Sequence, residues 1–378
     1  MTTALLDDPH AAYAALRAAG RAHQVTLPDG SPVWVLTRYA DVRAGLADPR
    51  LSLNKRHGTG DWGGFKLPPA LDANLLNMDA PDHTRIRRLV APAFSARRVE
   101  ALRPRVAALA AGLLSRHPAD LIAGYAVPLA VTVICDLLGV PDADRPHLRT
   151  VTAGMLSGAT EPVAAFETYL RGLIAAKRAE PADDLITAMI AARDEDDRLS
   201  EDELTSLAFL TLLAGYENSV NLIGNCILLL LQRPQLVAEV RADPQLCRAA
   251  VEETLRYEPP AILALRRFAR ERLAYGEVTI PAGATVLLSL AAANRDPAAV
   301  DDPDEFRLRV PPAPHVGLGH GPHYCFGAAL ALLSAEVAVG TLLEQFPQVT
   351  LADPGAPPAW RHSIRTRALS ELPVVLTS

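Results

Sequence analysis

Residues 315–331 read His-Val-Gly-Leu-Gly-His-Gly-Pro-His-Tyr-Cys-Phe-Gly-Ala-Ala-Leu-Ala, a glycine-punctuated loop that runs straight into an alanine- and leucine-rich helical pattern. Its core is Gly319-x-Gly321-x-His323-x-Cys325-x-Gly327. Glycines this close together let the backbone take tight and left-handed turns that other residues resist. Cys325 falls where the loop meets a helix N-terminus, and there the unpaired N–H groups and the helix dipole favour a negative sulfur. A loop that holds a thiolate, screens it with backbone donors and aims it is what an axial haem ligand needs.

Other chemistries fit the stretch less well. A single Cys in such a loop is most often an ordinary buried thiol. A phosphate-binding loop would require a Lys and a Ser or Thr after the glycines, and neither follows. His315, His320, His323 and Cys325 suggest zinc, but a second ligand pair at structural-zinc spacing is missing.

Composition bounds the rest. The 378 residues are 49% hydrophobic and 21% charged, enough for a large core, and no Gly/Ser linker or low-complexity tract divides them. One domain spanning residues 1–378 is expected. A net charge of −6 argues against a nucleic-acid partner. The N-terminal Met-Thr-Thr-Ala-Leu-Leu-Asp-Asp lacks the basic and apolar regions of a signal peptide. The most hydrophobic segment, 204–231, is broken by Gly215, Glu217, Asn218 and Asn221, so no membrane span is expected. The four cysteines are widely spaced and form no disulfide framework, which fits a reducing cytoplasm.

Local patterns predict a mostly helical chain with minor sheet. Residues 9–19 and 39–47 are helical; between them, 23–36 alternates as a hairpin turned at Asp29-Gly30. Residues 101–194 read as successive helices. Ser200-x-x-Glu203 is a capping box that opens a helix of about thirty residues, roughly 45 Å long. Inside that helix Gly215, Glu217, Asn218 and Asn221 are costly choices for core packing. They make sense as a notch for a small ligand with an acid beside it. Glu253 and Arg256, three apart, can pair on one helical face.

Taken together, the cysteine loop, Ala214-Gly215-Tyr216-Glu217 and Glu253-Thr-Leu-Arg256 resemble, in the right order, the three signatures of the cytochromes P-450. The similarity runs from about Ala11 to Val375. It implies a mainly α fold, a helical prism with small β-sheets, holding haem b (iron protoporphyrin IX) with Cys325 as the iron ligand. His83, Arg87, Arg267 and His323 match positions that bind the haem propionates. Ala214 and Gly215 on one side, and Gly319 and Gly327 on the other, match positions against the haem. Trp62 and Phe65 in the glycine-rich loop, Ile262 and Leu263 after the Glu-x-x-Arg helix, and Ile364 in the terminal hairpin match the substrate pocket.

The resemblance also implies an oxidoreductase that uses dioxygen. Ferredoxin and an NAD(P)H-dependent ferredoxin reductase would supply electrons to a basic face built from Arg85, Arg88, Arg97 and Arg98. Hydroxylation of a small natural product in bacterial secondary metabolism is the expected reaction. Glu217, Asn218 and Ser219 are the candidate catalytic residues, and here the chain departs from the family. The usual threonine after the acid is Asn218, an amide that can hold water but is no proton carrier. Either water or substrate completes the proton route, or the reaction differs. Oxidative coupling of aromatic side chains in a short peptide is therefore kept as an alternative, and a haem protein that senses a ligand without turnover as a further one. The third member of the Glu253–Arg256 lock, usually an arginine, aligns with Val310, while Arg309 stands one earlier.

Overall fold

The computed structural model describes residues 8–59, 68–72, 74–156, 161–194 and 199–377. Its principal helices are α1 (Pro9–Ala19), α2 (Tyr39–Ala47), α3 (Asp82–Val90), α4 (Arg103–Leu114), α5 (Val127–Leu138), α6 (Glu161–Ala179), α7 (Glu201–Leu231), α8 (Leu246–Tyr257) and α9 (Ala328–Gln345). Around them lie β1 (Ala22–Thr26), β2 (Pro32–Leu36), β3 (Leu51–Ser52), β4 (Arg267–Ala269), β5 (Leu273–Tyr275), β6 (Val278–Ile280), β7 (Thr285–Leu288), β8 (Gln348–Leu351) and β9 (Val374–Thr377). The expected α-rich fold with small sheets is what forms.

The capping box opens α7 as predicted. Ser200 Oγ accepts from the Glu203 N–H, and the Glu203 carboxylate accepts from the Ser200 N–H. From there α7 runs through the centre of the molecule, packed on α5, α8 and α9. Residues 220–230 are all buried, so this half of the helix is core on every side. α9 is long and apolar enough to cross a membrane by composition, yet 61% of it is buried within the protein, packed on α4 and α7. It is a core helix.

The hairpin of β1 and β2 turns at Gly30, whose φ of 84° needs no Cβ to clash. It enters a five-stranded sheet in the order β1-β2-β7-β4-β3. β2 pairs in parallel with β7, and β4 lies antiparallel between β7 and β3. This sheet is what carries Arg267 inward: β4 lies between β7 and β3 with all three of its residues buried, Arg267 at 4% exposed.

The Glu253–Arg256 lock sits at the junction. Arg256 is fully buried and uses all five of its N–H donors: two on the Glu253 carboxylate at 2.8 and 2.7 Å, the others on the carbonyls of Asn294, Pro303 and Glu305. Its third partner is not a side chain. Val310 is 76% exposed and, among the described residues, Arg309 donates to the Asp301 carbonyl and not to Glu253 or Arg256. The backbone N–H of Arg307 donates to Glu253 Oε1 at 2.9 Å in their place.

Candidate active site

The cysteine loop is shaped by close approach. Gly319 and Gly321 have φ of 77° and 71°, and a Cβ on Gly321 would lie 2.9 Å from Ala47 Cβ on α2. A Cβ on Gly317 would meet the Leu255 carbonyl at 2.3 Å, so the loop lies directly on α8. Asn294, fully buried, pins it there: its Oδ1 accepts from the Val316 N–H at 2.7 Å and its Nδ2 donates to the Leu255 carbonyl at 2.9 Å. The Cys325 N–H donates to the Leu318 carbonyl at 2.8 Å, and α9 starts three residues later, after Gly327. Burial pushes the thiol up, while the Gly327 N–H and Arg87 pull it down. Loop and helix terminus alone therefore do not make Cys325 a thiolate at neutral pH. A bound metal ion would, since a coordinating thiol is deprotonated outright.

Two guanidiniums and two imidazoles converge beside this loop. His83 and Arg87 stand one turn apart on α3, Arg267 comes from β4, and His323 from the loop itself. The rings of His83 and His323 lie 3.9 Å apart between centroids. Arg87 Nη2 donates to the Tyr324 carbonyl at 2.7 Å, and Arg267 Nη1 to the Leu51 carbonyl at 3.2 Å. Burial, then mutual repulsion, holds His323 down to about 3. Arg267 falls to about 10, chiefly by burial, and His83 and Arg87 are lowered for the same first reason. Among the described residues none of the four forms a hydrogen bond to a carboxylate, and His83 Nε2 and Arg267 Nε are buried without a partner. A cationic cradle of this kind lacks its anions. The two carboxylates of haem, with its iron toward Cys325, have the charge and chemistry these donors require.

Past its first turn, α7 is exposed only at Ala214 and Asn218, four residues apart and so on one face. Gly215 packs on the other side, where a Cβ would lie 2.5 Å from Ile134 Cδ1 on α5. The Ser219 hydroxyl is donated to the Gly215 carbonyl at 2.7 Å and is thus occupied within the helix. Glu217 is half-buried, and desolvation raises its pKa above the ordinary 4.5; Arg365 and Arg361 of the terminal hairpin act against that rise. Because the folded pKa exceeds the unfolded one, the folded chain binds more protons above pH 4.5 and loses stability as pH climbs through the folded value. Glu217→Gln is therefore expected to raise Tm by about 1–2 °C at pH 8 and by less at pH 5, as thermal unfolding at the two pH values will show.

The pocket segments are brought together by backbone pairing. The Ile262 N–H donates to the Arg365 carbonyl at 2.9 Å, and Ala261 pairs with Thr366, which sets Ile262 and Leu263 beside Ile364. Trp62 and Phe65 lie outside the described residues. The basic face is less uniform than expected: Arg85 is spent on Glu203 and Arg98 pairs with Asp183 at 3.2 Å. Asn294, Arg361 and Arg365 had no sequence signal of their role, because each acts on a partner distant in the chain.

Comparison with known proteins gives the family. A family model described as Cytochrome P450 matches residues 160–359. The chain is 44% identical to Cytochrome P450 107B1 of Saccharopolyspora erythraea, over 98% of this chain and 96% of that one. It is 42% identical to Cytochrome P450 monooxygenase PikC of Streptomyces venezuelae, over 97% and 91%. Among solved structures, the tirandamycin C-bound P450 monooxygenase TamI superimposes with a TM-score of 0.89 at 41% identity, covering 100% of this chain and 99% of that one. Matched over nearly its whole length by relatives above 40% identity, this chain belongs to the cytochrome P-450 family of haem-iron oxidoreductases.

Proposed function

We propose that the protein is a cytoplasmic monooxygenase of one haem domain, residues 1–378, that binds haem b and hydroxylates a small natural product of bacterial secondary metabolism. Ferredoxin, reduced by an NAD(P)H-dependent reductase, would deliver the electrons. The observation that carries this reading is the convergence of Arg87, Arg267, His83 and His323 beside the cysteine loop, with His83 Nε2 and Arg267 Nε buried and unpartnered.

Bound haem with a thiolate ligand supplies the power to activate and cleave dioxygen. His83, Arg87, Arg267 and His323 hold its carboxylates, and Cys325 its iron. Ala214 keeps the distal side open, being too small to fill it, while Gly215 lets α7 close on Ile134 of α5. Leu263 and Ile364, both partly exposed, hold the substrate by apolar contact, while Ile262, expected beside them, is buried against Tyr13, Ala291 and Ala292. Glu217, its pKa raised by burial, is the acid placed beside the exposed patch of α7. Asn218 orients water at the exposed patch, donating through its amide. Ser219 acts by position, its hydroxyl on the Gly215 carbonyl loosening the helix there.

Asn218 favours one second reading, oxidative coupling of a peptide's aromatic side chains without oxygen insertion. Product mass separates the two. The purified protein, with ferredoxin and reductase, is incubated under isotopically labelled dioxygen with small metabolites and with short Tyr- and Trp-containing peptides. Gain of one labelled oxygen is expected. Loss of two hydrogens would establish coupling or desaturation. Absence of any substrate-dependent NAD(P)H consumption across the panel would favour a ligand sensor.

A further inference from the structure

The terminal hairpin brings to the pocket a charge that the reaction itself does not use. Its two sides are tied together, Trp360 bridging Leu369 and the Arg361 N–H donating to the Ala368 carbonyl at 2.8 Å. At the tip the Ser363 hydroxyl oxygen accepts from the N–H groups of Arg365 and Thr366 and from the Thr366 hydroxyl, each at 3.1 Å. The Ile262 N–H holds the Arg365 carbonyl from the other side. Backbone bonds thus fix Arg361 and Arg365 while both residues stay exposed, with the partly exposed Ile364 between them in the chain. Among the described residues neither arginine makes a side-chain hydrogen bond or ion pair. Arg367 of the same hairpin differs: it is committed to Glu258 at 3.0 Å and stacked on the Trp360 ring at 3.8 Å. The two uncommitted charges fall on the α7 notch, since Glu217 is pulled down by Arg365 first and Arg361 second, against its burial. Arg365 also acts on Arg266, immediately ahead of β4, which burial and then this like charge lower to about 10. Composition favours the opposite sign, at a net charge of −6. Like charges gathered on the open side of a pocket repel one another, and an incoming anion offsets that repulsion.

We propose that the substrate is an amphipathic acid, its carboxylate received by Arg365 and Arg361 and its apolar body running past Ile364 and Leu263 to the α7 notch. The inference rests on the monooxygenase reading above and names the substrate class for that same site. A guanidinium presents paired N–H donors that match the two oxygens of a carboxylate. Because the hairpin fixes the backbone of both arginines, little of their placement is left to be ordered on binding. With the acid end pinned at the hairpin, the carbon nearest the notch is one remote from the carboxylate. Substrates that carry an ammonium group meet like charge at the same place and are turned away.

Calorimetry and haem absorbance on the holoenzyme measure binding without turnover. The probes are decanoic acid and 6-phenylhexanoic acid, each beside its methyl ester, together with decyltrimethylammonium. At neutral pH and low salt at least one acid should bind at least about fivefold tighter than its ester, the upper range of a single exposed ion pair. The ammonium should bind more weakly than either acid, and added salt should narrow the preference. In Arg361→Gln/Arg365→Gln the acid-to-ester ratio should fall below about twofold, while Arg365→Lys, which keeps the charge, should retain part of it. Both side chains are exposed, so Tm and the reduced carbon-monoxide spectrum of the double variant should match the wild type. Equal affinity for acid and ester in both pairs, no saturable binding of either acid, or an unchanged ratio in the double variant overturns the proposal. Failure of the monooxygenase reading looks different: the acids bind with this preference, yet labelled dioxygen never enters them, and the anion site stands.

Discussion

Replacing Arg256 by leucine is expected to leave little folded, haem-containing protein. The guanidinium makes two bonds to Glu253 and three to the carbonyls of Asn294, Pro303 and Glu305, and both charged partners are essentially excluded from water. Removing one member of a buried pair strands the other charge, at a cost of about 3–5 kcal/mol. Three carbonyls also lose their donor. Against a typical total of about 5–15 kcal/mol the remainder is marginal. Lysine will not rescue it, since a compact ammonium with three donors cannot span five acceptors set in a fork. The double variant Glu253→Leu/Arg256→Leu separates charge from shape. With no stranded carboxylate it should regain helix content and part of the lost Tm. Haem incorporation should stay low, because Asn294 also clamps Val316 of the cysteine loop and loses one of the contacts that hold its backbone. Circular dichroism and haem absorbance on the same preparations measure the two effects. Full haem content in Arg256→Leu would show that the lock is dispensable.

That lock also shows what a sequence displays and what it hides. Glu253 and Arg256 are legible because both ends of the pair lie on one helix three residues apart, and the capping box at Ser200 is legible for the same reason. The third partner was sought among side chains, at Val310 and Arg309, and is the Arg307 N–H. Every residue but proline carries that donor, so it leaves no trace in composition or spacing. The basic face failed in another way. Arg85 and Arg98 were counted as exposed charge, but Glu203 and Asp183 stand over a hundred and over eighty residues on in the chain, and only the fold brings them near. The cradle was legible as four separate matches; what the fold adds is their shared burial, which lowers all four, and the proximity of Arg87 to His83 and of His83, Arg267 and Arg87 to His323. The notch was legible because a glycine, an acid and an amide cost too much inside an apolar helix to be packing. Whether the Ser219 hydroxyl pointed inward was not, since its bond to the Gly215 carbonyl competes with every outward use of that oxygen.

Cys325→Ser is expected to leave the fold intact and to lower product formation by about two orders of magnitude or more, some 3 kcal/mol of barrier. The side chain contributes little to the architecture. Its loop is held by glycine turns, by the Cys325 N–H on the Leu318 carbonyl, and by Asn294, none of which involves the sulfur. The hydroxyl of serine is slightly smaller and equally able to sit under Gly327 and Arg87. What it lacks is the soft, electron-releasing thiolate that favours cleavage of the O–O bond. The cradle should still take up haem, because its two guanidiniums, its two imidazoles and the orphaned His83 Nε2 and Arg267 Nε are untouched. The variant should therefore contain haem, show near-native circular dichroism, and lose the thiolate-type spectrum of the reduced carbon-monoxide complex. Replacing His83 and Arg267 together by leucine should give the converse: weakened haem retention, with the thiolate spectrum preserved in whatever fraction stays bound. If Cys325→Ser kept the thiolate spectrum, the ligand would have to be another cysteine. Cys135, Cys226 and Cys247 are all buried, with burial pushing each thiol up, and the cradle lies at the Cys325 loop. That result would overturn the site as a whole and not one residue of it.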